Sequence, residues 1–284
     1  MAMTDVAEVS NQVQKIWSPI FMEELREDTL LLNLVNKDYQ GDIRKENDTV
    51  YVSQVNKPQG QNLTVGVDAN SFQSTSLSTS RVAIVANKRA VASFEFSDLV
   101  DIQSQINGDS SPIREALRQS VAEEINNHLY SLVSPSASSP DHIIPSVTDM
   151  NKTQLGAVRK LAAKAKWKKD GWIGLLDPSY YSDILADAGL TSRDFAADDN
   201  PVIGGQVAFP RFGFNLFEDN SRETDDYGLF FHPDFMHLVM QTEPTFKISD
   251  LHSNKQFGYV ISLDIIYGAA LGIDGDKKHI VVTA

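Results

Sequence analysis

Cysteine is absent from the chain, which excludes a disulfide framework, a thiolate metal site and a cysteine nucleophile. Basic residues are few: 25 Lys and Arg against 38 Asp and Glu leave a formal net charge of −13. Such a chain repels nucleic acid unless its bases gather on one face, and the excess acid is read first as a source of solubility. No window approaches the ~20 apolar residues of a membrane-spanning helix. The opening MAMTDVAEVSNQVQ lacks the basic region and apolar run of a signal peptide. There is no Walker loop, no G-x-S-x-G, no H-E-x-x-H and no dinucleotide-binding glycine fingerprint. No repeat period is visible, and the Ser-rich 134–139 is the longest low-complexity run. No catalytic, cofactor-binding or metal-binding residue is assigned, and no enzyme activity is expected.

What is present is enough apolar residue, 42 % of 284, for a substantial core in one large domain or two smaller ones. The clearest element is SSPIREALRQSVAEEINNHLYSLV, residues 110–133. Ser111 suits an N-cap and Pro112 the first helical position. Apolar residues recur at Ile113, Leu117, Val121, Ile125, Leu129 and Leu132. Steps of four overshoot the 3.6-residue turn, so the stripe drifts and predicts a helix touched by several neighbours. Upstream, Ser18-Pro19 predicts a shorter helix with Glu23 and Glu24 in its first turns. Residues 47–97 predict a long two-stranded excursion, its Ser/Thr part polar on both faces, of a kind that is marginal alone in water and makes sense under the cover of another chain.

Residues 136–226 read as a separate α/β lobe. NKTQLGAVRKLAAKAKWKKDGW predicts a helix, Trp172 to Leu176 a buried strand, and PSYYSDILADAG a second helix with Gly189 as C-cap. Short strands are expected around Val207 and Phe214. From Tyr227 strands dominate again: GLFFHPDFMHLVMQ as a strand followed by a bent or helical segment after Pro233, FGYVISLDIIYGAALGI as a strand run broken at Gly268, and a final strand after IDGDKK.

Three groups invite a chemical reading. His232 and His237, two of six scattered histidines, are separated by Pro233 and do not predict a shared face. Asp274-Gly275-Asp276 lacks the other oxygens of a calcium loop and predicts a hairpin turn. Arg159, Lys160, Lys164, Lys166, Lys168 and Lys169 suit phosphates or an acidic partner, but no aromatic ladder accompanies them. They are read as a solvated helix face compensating the dipole, with Trp167 and Trp172 structural.

In order and spacing these segments resemble the major capsid proteins of tailed bacteriophages, which share the Hong Kong 97-type fold. The likeness is carried by IWSPIFMEELREDTLLLNLVNKDYQGDI with NDTVYVSQV, by the proline-capped 111–133, by WIGLLDPSYYSDIL with GGQVAFPRFGFNLFEDN, and by FFHPDFMHLVMQ with DIIYGAALGIDGDKKHIVVTA. The resemblance implies an α+β fold with an N-terminal arm (1–45), an extended β-hairpin loop (46–97), a peripheral domain (98–135 and 227–284) with spine helix 111–133, and an α/β axial domain (136–226). It implies a coat protein self-assembling into pentamers and hexamers of an icosahedral shell, part of the virion and assembled in the host cytoplasm. The shell would enclose double-stranded DNA without sequence-specific binding, and no membrane or cofactor is implied.

Its expected partners are copies of itself, a separate scaffolding protein, a portal, and a cement or decoration protein. The arm starts almost at Met1, so no large processing is expected. Lys57 and Lys88 are the loop lysines that a crosslink would use, but no partner asparagine stands out. The rival readings are an encapsulin-like nanocompartment shell, another phage structural protein of tail or neck, and an α/β enzyme. Particles holding protein rather than DNA, a mostly β chain, or a monomer with a deep polar cleft would favour each in turn.

Overall fold

The computed structural model describes residues 29–38, 49–64, 74, 76–97, 111–133, 142–191, 202–203, 206–207, 210–221, 226–240, 245–251 and 257–284. The helix expected from Ser18 and most of the 1–45 arm lie outside the described residues.

The long helix α2 runs Ser111–Leu132, so Ser111 is its first residue rather than its cap. At 1.5 Å per residue it is about 33 Å long. Leu117, Val121, Ile125 and Leu129 are buried, and each contributes about 1.5–3 kcal/mol through removal from water. The drifting stripe has its expected consequence, for α2 packs on more than one partner. The short helix α1 (Leu30–Leu34) sets Leu31 and Leu32 against it, and the Leu32 amide donates to Asn126 Oδ1 at 3.1 Å in the buried seam. A sheet covers another side of α2. Near its C-terminal end, Tyr130 donates its buried hydroxyl to Asp219.

That sheet is built on β12 (Gly258–Leu271), paired along one edge with β3 (Lys88–Ser97) and along the other with β11 (Thr245–Asp250) and β10 (Met236–Met240), all antiparallel. Tyr259, Ile261, Leu263, Ile265 and Tyr267 alternate toward α2. The break expected at Gly268 does not occur, and β12 is continuous for 14 residues. An added Cβ at Gly268 would lie 2.3 Å from the Val85 carbonyl oxygen. The glycine therefore lets another backbone approach rather than ending the strand.

That backbone belongs to the hairpin of β1 (Thr49–Val55) and β2 (Thr79–Val85), in register from Thr49↔Val85 to Val55↔Thr79. The expected two-stranded excursion over 47–97 is therefore three strands. β3 leaves the hairpin to join β12, because Ala90, Ala92 and Phe96 face the core of α2.

The second sheet has the order β4 (Ile143–Ile144), β13 (His279–Thr283), β9 (Tyr227–Phe231), β5 (Trp172–Leu176), β8 (Phe214–Glu218), while β6 (Val202–Ile203) and β7 (Gln206–Val207) pair only with each other. The segment boundary between 226 and 227 runs through this sheet, since β9 and β13 pair with strands of the expected α/β lobe. Its two faces serve different cores. Ile173, Leu175, Leu229, Phe231 and Val281 join the core of α2. Trp172, Leu176, Phe214, Phe230, Ile280 and Val282 form a second core with α3 (Lys152–Lys164) and α4 (Pro178–Ala186). Strands buried on both faces read as unbroken apolar runs, which is why the period of two is lost there.

Asn151 caps α3 by accepting from the Thr153 and Gln154 amides, and Asp177 caps α4 by accepting from Tyr180. Gly189 is not the C-cap of α4. It lies inside the short helix α5 (Ala188–Thr191), and Asp187 stops α4, accepting from both Lys152 N and Gly189 N.

Candidate assembly surface

The histidines do not converge on a site. His232 accepts from the Asp234 amide through Nδ1 and caps a 3₁₀ turn at Pro233–Phe235. His237 is buried on β10, which the sequence had read as bent or helical. Burial holds both rings below the usual imidazole range. No three or more His, Asp or Glu side chains among the described residues are grouped to hold a metal. Asp274 takes a left-handed conformation (φ 56°) and leads a 3₁₀ turn at Gly275–Lys277. The expected hairpin turn is instead a connector between sheets, because β12 and β13 pair with different partners.

Among the described residues, most of the exposed large apolar side chains gather at two places. The first is the β1–β2 hairpin. Only its base is seated: Val52, Ile84 and Ala86 pack with Val239, beside Val50, Ile266 and Ala270. On the other face Tyr51 is 58 % exposed, and farther out Val55 is 61 % and Leu77 80 % exposed. The Arg81 guanidinium lies over the Tyr51 ring, and Asn56 bridges to Ser78 and Ser80 across the strands. Side-chain contacts within the hairpin thus replace a core, and both faces are left bare. Lys57 follows β1 on this exposed stretch, and Lys88 opens β3 opposite Tyr267.

The second place is the end of the four-stranded sheet beside the start of α2. Phe96 stacks on Tyr259 and meets Phe94 edge-on, while Arg114 lies over the Phe246 ring. Ile248 is 56 % exposed and Phe257 75 %. Sequence reading missed this patch, because its members come from β3, β11 and β12 and only register brings Phe94 and Ile248 to either side of Ile261.

The bases of the α/β lobe form a third surface. α3 ends at Lys164 rather than running on to Trp172 as expected. Lys166 adopts a left-handed φ of 60°, Trp167 N bonds to Ala162 O and Lys166 N to Ala163 O, a Schellman stop with lysine in the position glycine usually fills. Arg159, Lys160, Lys164, Lys166, Lys168 and Lys169 are all exposed. Trp167 and Trp172 are structural, as read: their rings meet perpendicularly, and their N–H groups donate to the carbonyls of Lys277 and Lys168.

No protein-family model matches the sequence, and no curated protein matches it. Solved structures do. A chain of Mycobacterium phage Che8 superposes with a TM-score of 0.75 at 19 % identity, over 95 % of this chain and 96 % of that one. A chain from the capsid structure of cyanophage P-SCSP1u gives 0.72 at 11 % identity, over 97 % and 94 %. One from the capsid asymmetric unit of cyanophage Pam1 gives 0.71 at 12 %, over 99 % and 98 %. The α+β fold expected from the sequence is thus the fold of chains in phage capsid structures.

Proposed function

We propose that this chain is the major capsid protein of a tailed bacteriophage, a wall unit that assembles in many copies into a closed shell. The observation that carries the reading is the end-to-end likeness to phage capsid chains, which spans hairpin, helix and both sheets. The hairpin supports it. An antiparallel pair without a core is marginal in water, and the bare apolar side chains of β1 and β2 are what a neighbouring copy would cover.

In this reading residues 1–45 are the arm, 46–97 the extended loop, 98–135 and 227–284 the peripheral domain, and 136–226 the axial domain, with β9 and β13 lent to the axial sheet. The shell is icosahedral, made of pentamers and hexamers, and holds double-stranded DNA without reading its sequence. The chain is a structural component of the virion, assembled in the host cytoplasm with a scaffolding protein, a portal and a cement protein as partners, and it performs no catalysis.

Negative-stain microscopy of the purified protein, expressed with and without its scaffolding partner, tests the reading. Closed shells of uniform diameter are expected. A monodisperse monomer under both conditions would remove the proposal, and shells packed with protein cargo instead of DNA in infected cells would turn it toward a nanocompartment.

A further inference from the structure

Two strand connections join the four-stranded sheet to the five-stranded one, and they run side by side. The first leaves β9 at His232, makes the 3₁₀ turn Pro233–Phe235 and enters β10 at Met236. The second leaves β12 after Leu271, makes the turn Gly275–Lys277 and enters β13 at His279. Glycine lets the two crossings meet backbone to backbone. An added Cβ at Gly272 would lie 2.7 Å from the Asp234 carbonyl oxygen, and one at Gly275 would lie 2.5 Å from that of Phe235. Gly272 N donates to Phe235 O at 2.7 Å and His232 N to Lys278 O at 3.0 Å, while the Trp167 indole braces the second turn at Lys277 O.

Histidine marks the ends of both crossings. His232 and His237 bracket the first, His279 ends the second, and His142, just before β4, is near enough to act on His279. Four of the six histidines thus border one joint, although they form no metal or catalytic site.

Two of these rings are held in ways that only the neutral form permits. His232 Nδ1 accepts from the Asp234 amide at 3.2 Å and so caps the first turn. A proton on Nδ1 would turn it from that N–H toward the Asp234 carboxylate, 3.6 Å away, and undo the cap. The His279 ring is fully buried against Phe235, with Nδ1 at 2.8 Å from the Gly275 carbonyl and Nε2 without a partner. A proton on Nε2 would be a buried donor with nothing to receive it.

The surrounding charges do not offset such protons. Asp276 faces His279 from its own turn, and His142 opposes it from the side of β4. Asp234 must serve both His232 and His237, and Asn36 already donates to its Oδ1 at 3.4 Å. Asp170 adds to its effect on His232 and Asp38 to its effect on His237, while Lys278 opposes both rings and Lys168 opposes His232. Lys277 is engaged with Asp274.

We propose that this joint is an acid-operated catch: when His232 and His279 take up protons, the two crossings part while α2 and the strands of both sheets stay folded. The bonds between the crossings are short-range and few beside the ladders on either side, which makes this the cheaper opening. Once open, the imidazoles are hydrated and bind protons with the ordinary value of about 6.5. Burial holds them below it while the joint is closed. Opening is therefore favoured as pH falls below about 6.5, by up to about tenfold per pH unit for each ring. The joint lies within a single chain, so its opening does not depend on the shell reading.

Amide hydrogen exchange of the full chain, read by mass spectrometry at about pH 7.5 and about pH 5.5 and corrected for the intrinsic rate at each, tests this. Residues 232–236 and 272–279 are expected to exchange at least about tenfold faster at the lower pH. At that pH their exchange should be nearly insensitive to about 0–1 M urea, since a local opening exposes little surface, whereas that of α2 should rise with urea. A variant carrying His232→Asn, which keeps a capping oxygen, and His279→Gln should lose the acceleration.

Unchanged protection of the crossings at the lower pH overturns the catch. So does exchange there that matches α2 in both rate and urea dependence, because the joint would then open only with the whole molecule. A parent-like acceleration in the double variant also overturns it. Should that variant fail to fold at neutral pH by circular dichroism, the parent's rates and urea dependence decide alone.

Discussion

A second proton on the His279 ring has no acceptor waiting for it. Nδ1 faces the Gly275 carbonyl at 2.8 Å, and Nε2 is buried without a partner in a pocket shared with the Phe235 ring. Burial lowers the pKa of this imidazole first, with His142 adding to the effect, while the Gly275 carbonyl and Asp276 oppose it. Burial is likewise the leading cause that lowers His128, His232 and His237. When the folded pKa is depressed, the unfolded chain takes up protons first. Stability is therefore full above the unfolded histidine value of about 6.5 and declines as pH falls below it. Denaturant midpoints measured at pH 7.5, 6.5 and 5.5 should fall in that order. His279→Gln should lower the midpoint at pH 7.5 but flatten the decline, and an unchanged slope would exclude His279 as a contributor.

At the scale of elements, α2 is where sequence and structure agree most closely. Leu117 is 2 % exposed within the packed seam. Leu117→Asp places an unpaired charge there and should cost about 4 kcal/mol or more, read as insoluble protein on expression. The hairpin should behave in the opposite way. Deleting residues 58–70 should leave the circular dichroism spectrum largely unchanged and abolish particle assembly, and parent-like yields of particles would mean the hairpin is not a strap between copies.

The helix could be read from the chain because proline and an i, i+4 apolar spacing are local signals. β5 could be read because four apolar residues and one glycine, with no charge among them, stand between Gly171 and Asp177-Pro178. β10 could not, since MHLVM after a proline suits helix and strand equally. The continuity of β12 through Gly268 depends on the Val85 carbonyl from a distant strand, which no local pattern encodes. The stop of α3 was hidden for a simpler reason: Lys166 occupies a left-handed position without the glycine that would have announced it. The basic group itself was visible in the sequence, but its division between a helix and the loop beyond was not.

On the scale of the whole molecule, the five-stranded sheet is shared property. One face completes the core around α2 and the other the core of the α/β lobe, with Tyr130 bound to Asp219 where the helix meets the end of β8. Neither core can open without wetting strands that the other still needs. Heating or denaturant should therefore melt both together: tryptophan fluorescence of a Trp17→Phe variant, which reports Trp167 and Trp172 in the lobe, and far-ultraviolet dichroism, dominated by the helices and sheets together, should trace coincident transitions. Two separated transitions would show that the lobe comes away by itself. If they coincide, a push delivered to the lobe of one wall unit travels to its long rod undiminished by any hinge, and a shell made of such units would answer pressure from within by flexing between neighbours rather than inside them.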